Sequence, residues 1–221
     1  MAATTSTSSV RSIESARRDM YRRQILDAAE AEFGRSGFDN TKVTTIAKAA
    51  GLSLATVYKH FSGKSDIWDH LHNERMSELL DRVDTEGQHA DGPLDRILAG
   101  VSSVARYLTE HPSYLEMNLW AGAGWASGDQ VGIGAQRTVW TAGIDTLATG
   151  VANAVAQKEI PPIDDVVGAG LIVSSIQVWL ATWARDDQRS DPGVLIDDMV
   201  ERLRWTLAGP KAQPAPARGG R

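Results

Sequence analysis

The run from Thr44 to Phe61, TTIAKAAGLSLATVYKHF, constrains this chain more than any other stretch. Gly51 separates two short segments of helical spacing, and a glycine turns the backbone there more sharply than any other residue allows. Ser53 follows with a hydroxyl placed to cap a second helix, predicted over 54–61. Ile46, Ala47, Ala50, Leu52, Val57 and Phe61 fall at spacings that let the two helices share a small core. Ala47 and Ala50 are small enough for a close crossing. Leu54, Ala55, Thr56, Lys59 and His60 remain on the outward face of the second helix. Methyls, a hydroxyl and two nitrogen-bearing heads on one face suit base edges and phosphates in a major groove.

Upstream, RRQILDAAEAEFGRSGF (Arg22 to Phe38) supplies a first helix with a glycine-bearing exit. Together with Val43, Ile46, Ala47, the AGLS of Ala50 to Ser53, the TVYKHF of Thr56 to Phe61, Lys64, Ile67 and Trp68, it resembles the TetR family of one-component transcriptional regulators. That resemblance implies a homodimer that binds a palindromic double-stranded DNA operator. It further implies release by a small-molecule effector held in the helical body, most often with repression as the outcome. By the same resemblance, Thr44, Thr56, Tyr58, Lys59, His60 and Lys64 are the expected phosphate contacts. Ser53, Leu54, Ala55 and Thr56 are the residues expected at base edges. One position departs from the family pattern. Lys42 stands where a capping Thr or Ser is usual, and Thr45 where an acid is frequent, so the capping box is missing. Either Thr41 or Thr44 takes over the cap, or the helix frays at its start while Lys42 reaches a phosphate itself.

The net charge of −5 looks unsuited to DNA until it is divided along the chain. From Met1 to Asp66 ten Lys and Arg oppose seven acids, whereas the remainder carries an acidic excess of eight. A basic head on an acidic body orients toward a polyanion, with strongly salt-dependent binding. The absence of cysteine removes disulfides, thiolate metal sites and thiol catalysis, and fits a cytoplasmic protein. The opening MAATTSTSSVRSIES lacks the apolar centre of a secretory signal, and no apolar run is long enough to imply a membrane partner.

The expected fold class is all-α: a three-helix helix-turn-helix DNA-binding domain over 15–66, then a helical effector-binding and dimerisation domain over 67–208. Residues 1–14 and 209–221, rich in Ser, Thr, Ala, Pro and Gly, are expected to be disordered. Helices are predicted over about 15–34, 63–84, 93–110, 114–122, 131–158, 163–185 and 194–208, around the glycine-rich stretch 121–134. In the last two, Val166, Gly170, Val173, Gln177, Leu180 and Ala184 make one stripe, and Leu195, Met199, Leu203 and Leu207 another. The resemblance implies that these two helices pair with their mates as a four-helix bundle.

Five of the seven Trp lie between Trp120 and Trp183. Buried indoles want partners for their N–H, so a cluster of them suits a cavity wall. Tyr107, Tyr114, Met117, Trp120, Trp140 and Trp179 are the expected lining of an effector pocket, for an apolar or aromatic ligand. The rival expectations are a DNA-binding protein without an effector, and a helical enzyme or carrier. No catalytic constellation, metal-ligand spacing or cofactor motif supports the last. His70 and His72, two apart on a helix, face different ways and are expected to be solvated or structural.

Overall fold

The computed structural model describes residues 4–88, 90–120, 135–186 and 188–209. Trp125 with the glycine-rich stretch 121–134, and the tail beyond Gly209, lie outside them. Nine helices appear among the described residues, and no strand: α1 (Thr4–Asn40), α2 (Val43–Ala49), α3 (Leu54–His60), α4 (Lys64–Gly87), α5 (Pro93–Glu110), α6 (Pro112–Trp120), α7 (Ala135–Ala156), α8 (Asp165–Arg185) and α9 (Pro192–Ala208). The expected all-α class is what is found.

Two helix limits differ from the sequence expectation at α1. It begins at Thr4, not near Ser15, so the stretch expected to be a disordered arm is helical from its fourth residue. Ser and Thr are mediocre helix formers, but residues 4–33 contain neither Gly nor Pro, and nothing stops the helix once it has started. At the other end α1 passes Gly34 and breaks at Gly37, where φ 72° and ψ 170° leave the helical region.

The chain divides into two compact units: residues up to Leu80 with Tyr107–Thr141, and Asp81–Arg106 with residues from Ala142 onward. The first unit therefore reaches beyond the 15–66 segment, because α6 packs along α1. Its core joins Ile25, Ala29 and Phe33 of α1 to Ile46 of α2, Val57 of α3, Phe61, Ile67 and Trp68 of α4, and Leu115 and Met117 of α6. Burying each large side chain contributes about 1.5–3 kcal/mol. Trp68 meets Phe33 edge-on at 4.9 Å and Phe38 at 5.0 Å between ring centroids.

In the second unit, Leu98 and Val101 of α5, Val151 and Ala154 of α7, Ile172, Val173 and Leu180 of α8, and Met199, Leu203 and Leu207 of α9 are buried together. Gly168 sets the crossing of α8 on α7, since a Cβ there would lie 2.8 Å from Val151 Cγ1. Of the stripes expected to form a dimer interface, Val173, Leu180, Met199, Leu203 and Leu207 are buried in this unit's own core, whereas Gly170, Gln177, Ala184 and Leu195 are half-buried and Val166 is exposed. The apolar residues left uncovered are Val166, Val167, Leu171 and Val178 on α8, and Val194 and Trp205 on α9. Among the described helices α8 alone is long and apolar enough to cross a membrane, yet seven of its residues are buried inside the unit.

Candidate nucleic-acid interface

Gly51 makes the turn between α2 and α3 with φ 64°, and the Leu52 amide returns to the Ala47 carbonyl at 2.9 Å. The turn is fastened to α1 by Gln24, whose amide donates to the Ala50 carbonyl at 2.6 Å. Ser53 then starts α3 as the sequence implies. Its Oγ accepts from the Thr56 amide at 3.1 Å and lies 2.8 Å from the Thr56 hydroxyl. Val57 and Phe61 turn inward and are fully buried. Ser53, Leu54, Ala55, Tyr58 and Lys59 face outward, with Tyr58 52% exposed.

The far end of α3 is pinned by α1. Arg22 Nη1 donates to the His60 carbonyl at 3.1 Å, and its guanidinium sits 4.6 Å from the centre of the Phe61 ring. Tyr21 stands against the His60 ring at 5.7 Å. Burial first, and then the charges of Lys59, Arg22 and Arg18, push the His60 imidazole below its ordinary pKa. A phosphate arriving beside it would oppose that shift by favouring the charged ring.

The absent capping box of α2 is not replaced. Thr41 is buried, and its hydroxyl donates to carbonyls of α1, Gly37 at 2.7 Å and Glu32 at 3.2 Å. Lys42 occupies the cap position in extended backbone and makes no side-chain cap bond. It is exposed beside Thr44, so both remain available to a partner. Lys64 is placed differently from the expectation. Its ammonium donates to the carbonyls of Phe38 at 2.7 Å and Asp39 at 3.2 Å, over the Phe38 ring at 4.3 Å. It fastens the start of α4 to the exit of α1, and a phosphate would have to share it. Asp66 closes the same junction. Its carboxylate accepts from the Ser62 amide at 2.7 Å, and this bond is the main reason its pKa lies below the ordinary value.

The residues expected to line an effector pocket are distributed more widely. Tyr107, Tyr114 and Met117 are buried in the first unit. Tyr107 donates to Glu78 at 2.6 Å, Glu78 accepts from Arg75 at 3.0 Å, and Arg75 reaches Glu30 of α1 at 2.6 Å. The Tyr114 hydroxyl lies 3.1 Å from His72 Nδ1. Sequence reasoning missed His72 as the centre of this cluster, although Trp68 four residues earlier marks the same helix face. Trp120 departs most from the expectation. Its indole N–H donates to the Gly34 carbonyl at 2.7 Å, and its ring lies over Gly37 while 57% exposed. It clips α6 to the end of α1. Trp140 is half-buried in the first unit and Trp179 half-buried in the second.

Residues 25–71 match the model of the bacterial regulatory proteins, tetR family. The chain is 35% identical over 63 residues to the fatty acid metabolism regulator protein of Bacillus subtilis (strain 168), covering 28% of this chain and 32% of that one. It is 26% identical over 99 residues to the HTH-type transcriptional repressor SCO4008 of Streptomyces coelicolor, covering 45% and 48%. The matches thus span a third to a half of the length of these curated relatives. Among solved structures, the transcriptional regulator FadR from Bacillus subtilis in complex with stearoyl-CoA superposes with a TM-score of 0.66 at 22% identity, over 86% of this chain and 99% of that one. The proteins it resembles are transcriptional regulators rather than enzymes.

Proposed function

From the premise that this chain is a tetR-family transcriptional regulator, we propose that it works in the cytoplasm as a homodimeric repressor of a palindromic operator. Two copies of α3 would enter successive major grooves roughly 34–36 Å apart. Leu54, Ala55 and Thr56 would meet base edges, with methyls against thymine. Lys42, Thr44, Tyr58, Lys59 and His60 would contact phosphates. The observation that carries this reading is α3 itself: capped by Ser53, pinned by Arg22 and Gln24, with Ser53, Leu54, Ala55, Tyr58 and Lys59 facing outward and Thr56 and His60 half-buried beside them. The second copy would cover Leu171, Val178 and Trp205.

The effector we propose is an apolar acyl or aromatic compound. The stearoyl-CoA bound by the FadR structure makes long-chain acyl-CoA esters the first series to try. Such a ligand acts only through differential affinity for the two states of the dimer, and the coupling is reciprocal. The test begins with an operator selected from random-sequence duplexes by the full chain. Acyl-CoA esters of increasing length are then titrated against that complex. Release of DNA over the range that quenches tryptophan emission supports the reading; absence of any sequence-selective binding refutes it. One observation favours a second reading, DNA binding without an effector: Tyr107, Tyr114 and Trp120 already have protein partners. Quenching without release would favour it.

A further inference from the structure

We propose that the part of α1 preceding the matched domain is a second contact with DNA, in which Arg17 and Arg18 hold the phosphate backbone beside α3. The inference rests on α3 being the reading helix. Residues 14–20 are helical and exposed throughout, so packing within the chain gives no reason for what they carry. The next turn of α1, Tyr21 and Arg22, touches the end of α3 through the His60 ring and carbonyl. Arg17 and Arg18 lie four and three residues before Tyr21, on the same side of the helix.

Their own contacts agree with that placement. Arg17 Nη2 donates to the Tyr21 hydroxyl at 3.2 Å, with its guanidinium 5.5 Å from the ring centre. The chain of contacts Arg17, Tyr21, His60 therefore runs without a gap from the extension to the reading helix. The charge of Arg18 is felt at His60, together with those of Lys59 and Arg22. Among the described residues neither Arg17 nor Arg18 takes part in an ion pair. Glu14 is the one acid on this stripe, one turn before Arg17 and Arg18, whereas Asp19 and Asp27 lie on the opposite face with Met20 and Arg23. One side of the extension is thus cationic and continuous with the α3 surface, and the other has mixed charge. A planar guanidinium suits a phosphate better than an ammonium, because two parallel N–H groups match two oxygens.

The test uses the full chain and a duplex of about four helical turns, carrying the selected operator, with binding measured across a salt series. Four proteins are compared: the unaltered chain, Lys59→Ala, the pair Arg17→Ala with Arg18→Ala, and the pair Arg17→Lys with Arg18→Lys. The alanine pair is expected to weaken binding roughly tenfold or more and to flatten the slope of log K against log salt by about two units per protomer, with thermal unfolding unchanged. The lysine pair is expected to recover most of the slope but less of the affinity. Protection of the DNA backbone from cleavage should shrink at the outer flanks of each half-site with the alanine pair only. If Lys59→Ala loses slope while the alanine pair binds as the unaltered chain does, the inference is overturned and α3 remains the reader. If the unaltered chain shows no salt-dependent binding, the reading it rests on falls with it.

Discussion

In the first unit, long side chains donate to backbone carbonyls at the places where helices must be aimed: Gln24 to Ala50, Arg22 to His60, Lys64 to Phe38, Thr41 to Gly37 and Trp120 to Gly34. In the second, fewer such bonds appear among the described residues, Trp183 to the Ser190 carbonyl among them, beside the ion pair of Arg204 with Asp95. Apolar stripes and small-residue crossings such as Gly168 on Val151 do more of the holding. The difference is one of purpose. A hydrogen bond to a fixed carbonyl sets the direction of a helix to within a fraction of an ångström. Apolar area gives adhesion with little directional preference. A reading head has to be positioned, and the large apolar side chains it leaves exposed, Met20, Leu54, Tyr58, Leu80 and Trp120, are spread over four helices rather than gathered on one pair. The second unit already has a core and still leaves six large apolar residues uncovered, which suits a surface completed by a second copy.

The sharpest way to break this contrast is to charge the uncovered face. Leu171→Glu with Val178→Glu should leave the first unit folded while sedimentation shows a monomer. Operator affinity should drop at least about a hundredfold, because only one half-site can then be held at a time. A dimer that survives both substitutions would place the interface elsewhere. Ala55→Glu attacks the other region and should have nearly as large an effect on operator affinity. Dimerisation and thermal unfolding should not change, since Ala55 is exposed. Retained affinity would remove α3 from the DNA.

A pair of glycines compares how the two regions tolerate crowding. A Cβ at Gly34 would lie 2.7 Å from the backbone oxygen of Ser113, and one at Gly168 would lie 2.8 Å from a side-chain methyl of Val151. Gly34→Ala should cost about 1–3 kcal/mol in denaturant unfolding, and Gly168→Ala less, because a side chain yields before a backbone does. The reverse order would mean that α6 moves freely along α1. The smallest expected effect is one of pH. Burial holds His72 down to about pKa 3, against 6.5 when unfolded. Between those values the unfolded chain takes up a proton that the folded chain refuses. Stability should therefore fall as pH drops below 6.5, with a slope of up to about 1.4 kcal/mol per pH unit. His72→Gln should flatten that slope in the first unit; an unaltered slope would show that other groups set it.

What was legible in the sequence is local. Gly51 and Ser53 each specify a conformation within two or three residues, so the helix-turn-helix, its cap and its outward face follow from spacing alone. What was not legible depends on direction across the fold. A four-residue apolar period marks a buried stripe without saying which chain buries it. Hence Met199, Leu203 and Leu207 look like an interface but are core, whereas Val178 and Trp205 are uncovered. The richness in Trp says that indole N–H groups need partners, not where those partners are. For Trp120 the partner is a backbone carbonyl at the end of α1, reached across eighty-six positions of sequence. Lys64 has the right charge and position for a phosphate, yet nearer carbonyls already hold it.

The arrangement of Thr41 and Lys42 has a consequence for how this head can change. Thr41 is committed inward to two carbonyls of α1, so replacing it should loosen the fold. Lys42, one residue on, anchors nothing and points into solvent at the start of α2. Position 42 is therefore a free parameter. Substituting it can retune the attraction for a given stretch of DNA without touching the scaffold, and a serine there would add a helix cap worth about 1 kcal/mol while removing a cation. Heritable drift in operator preference would find little resistance at this residue and much at its neighbour.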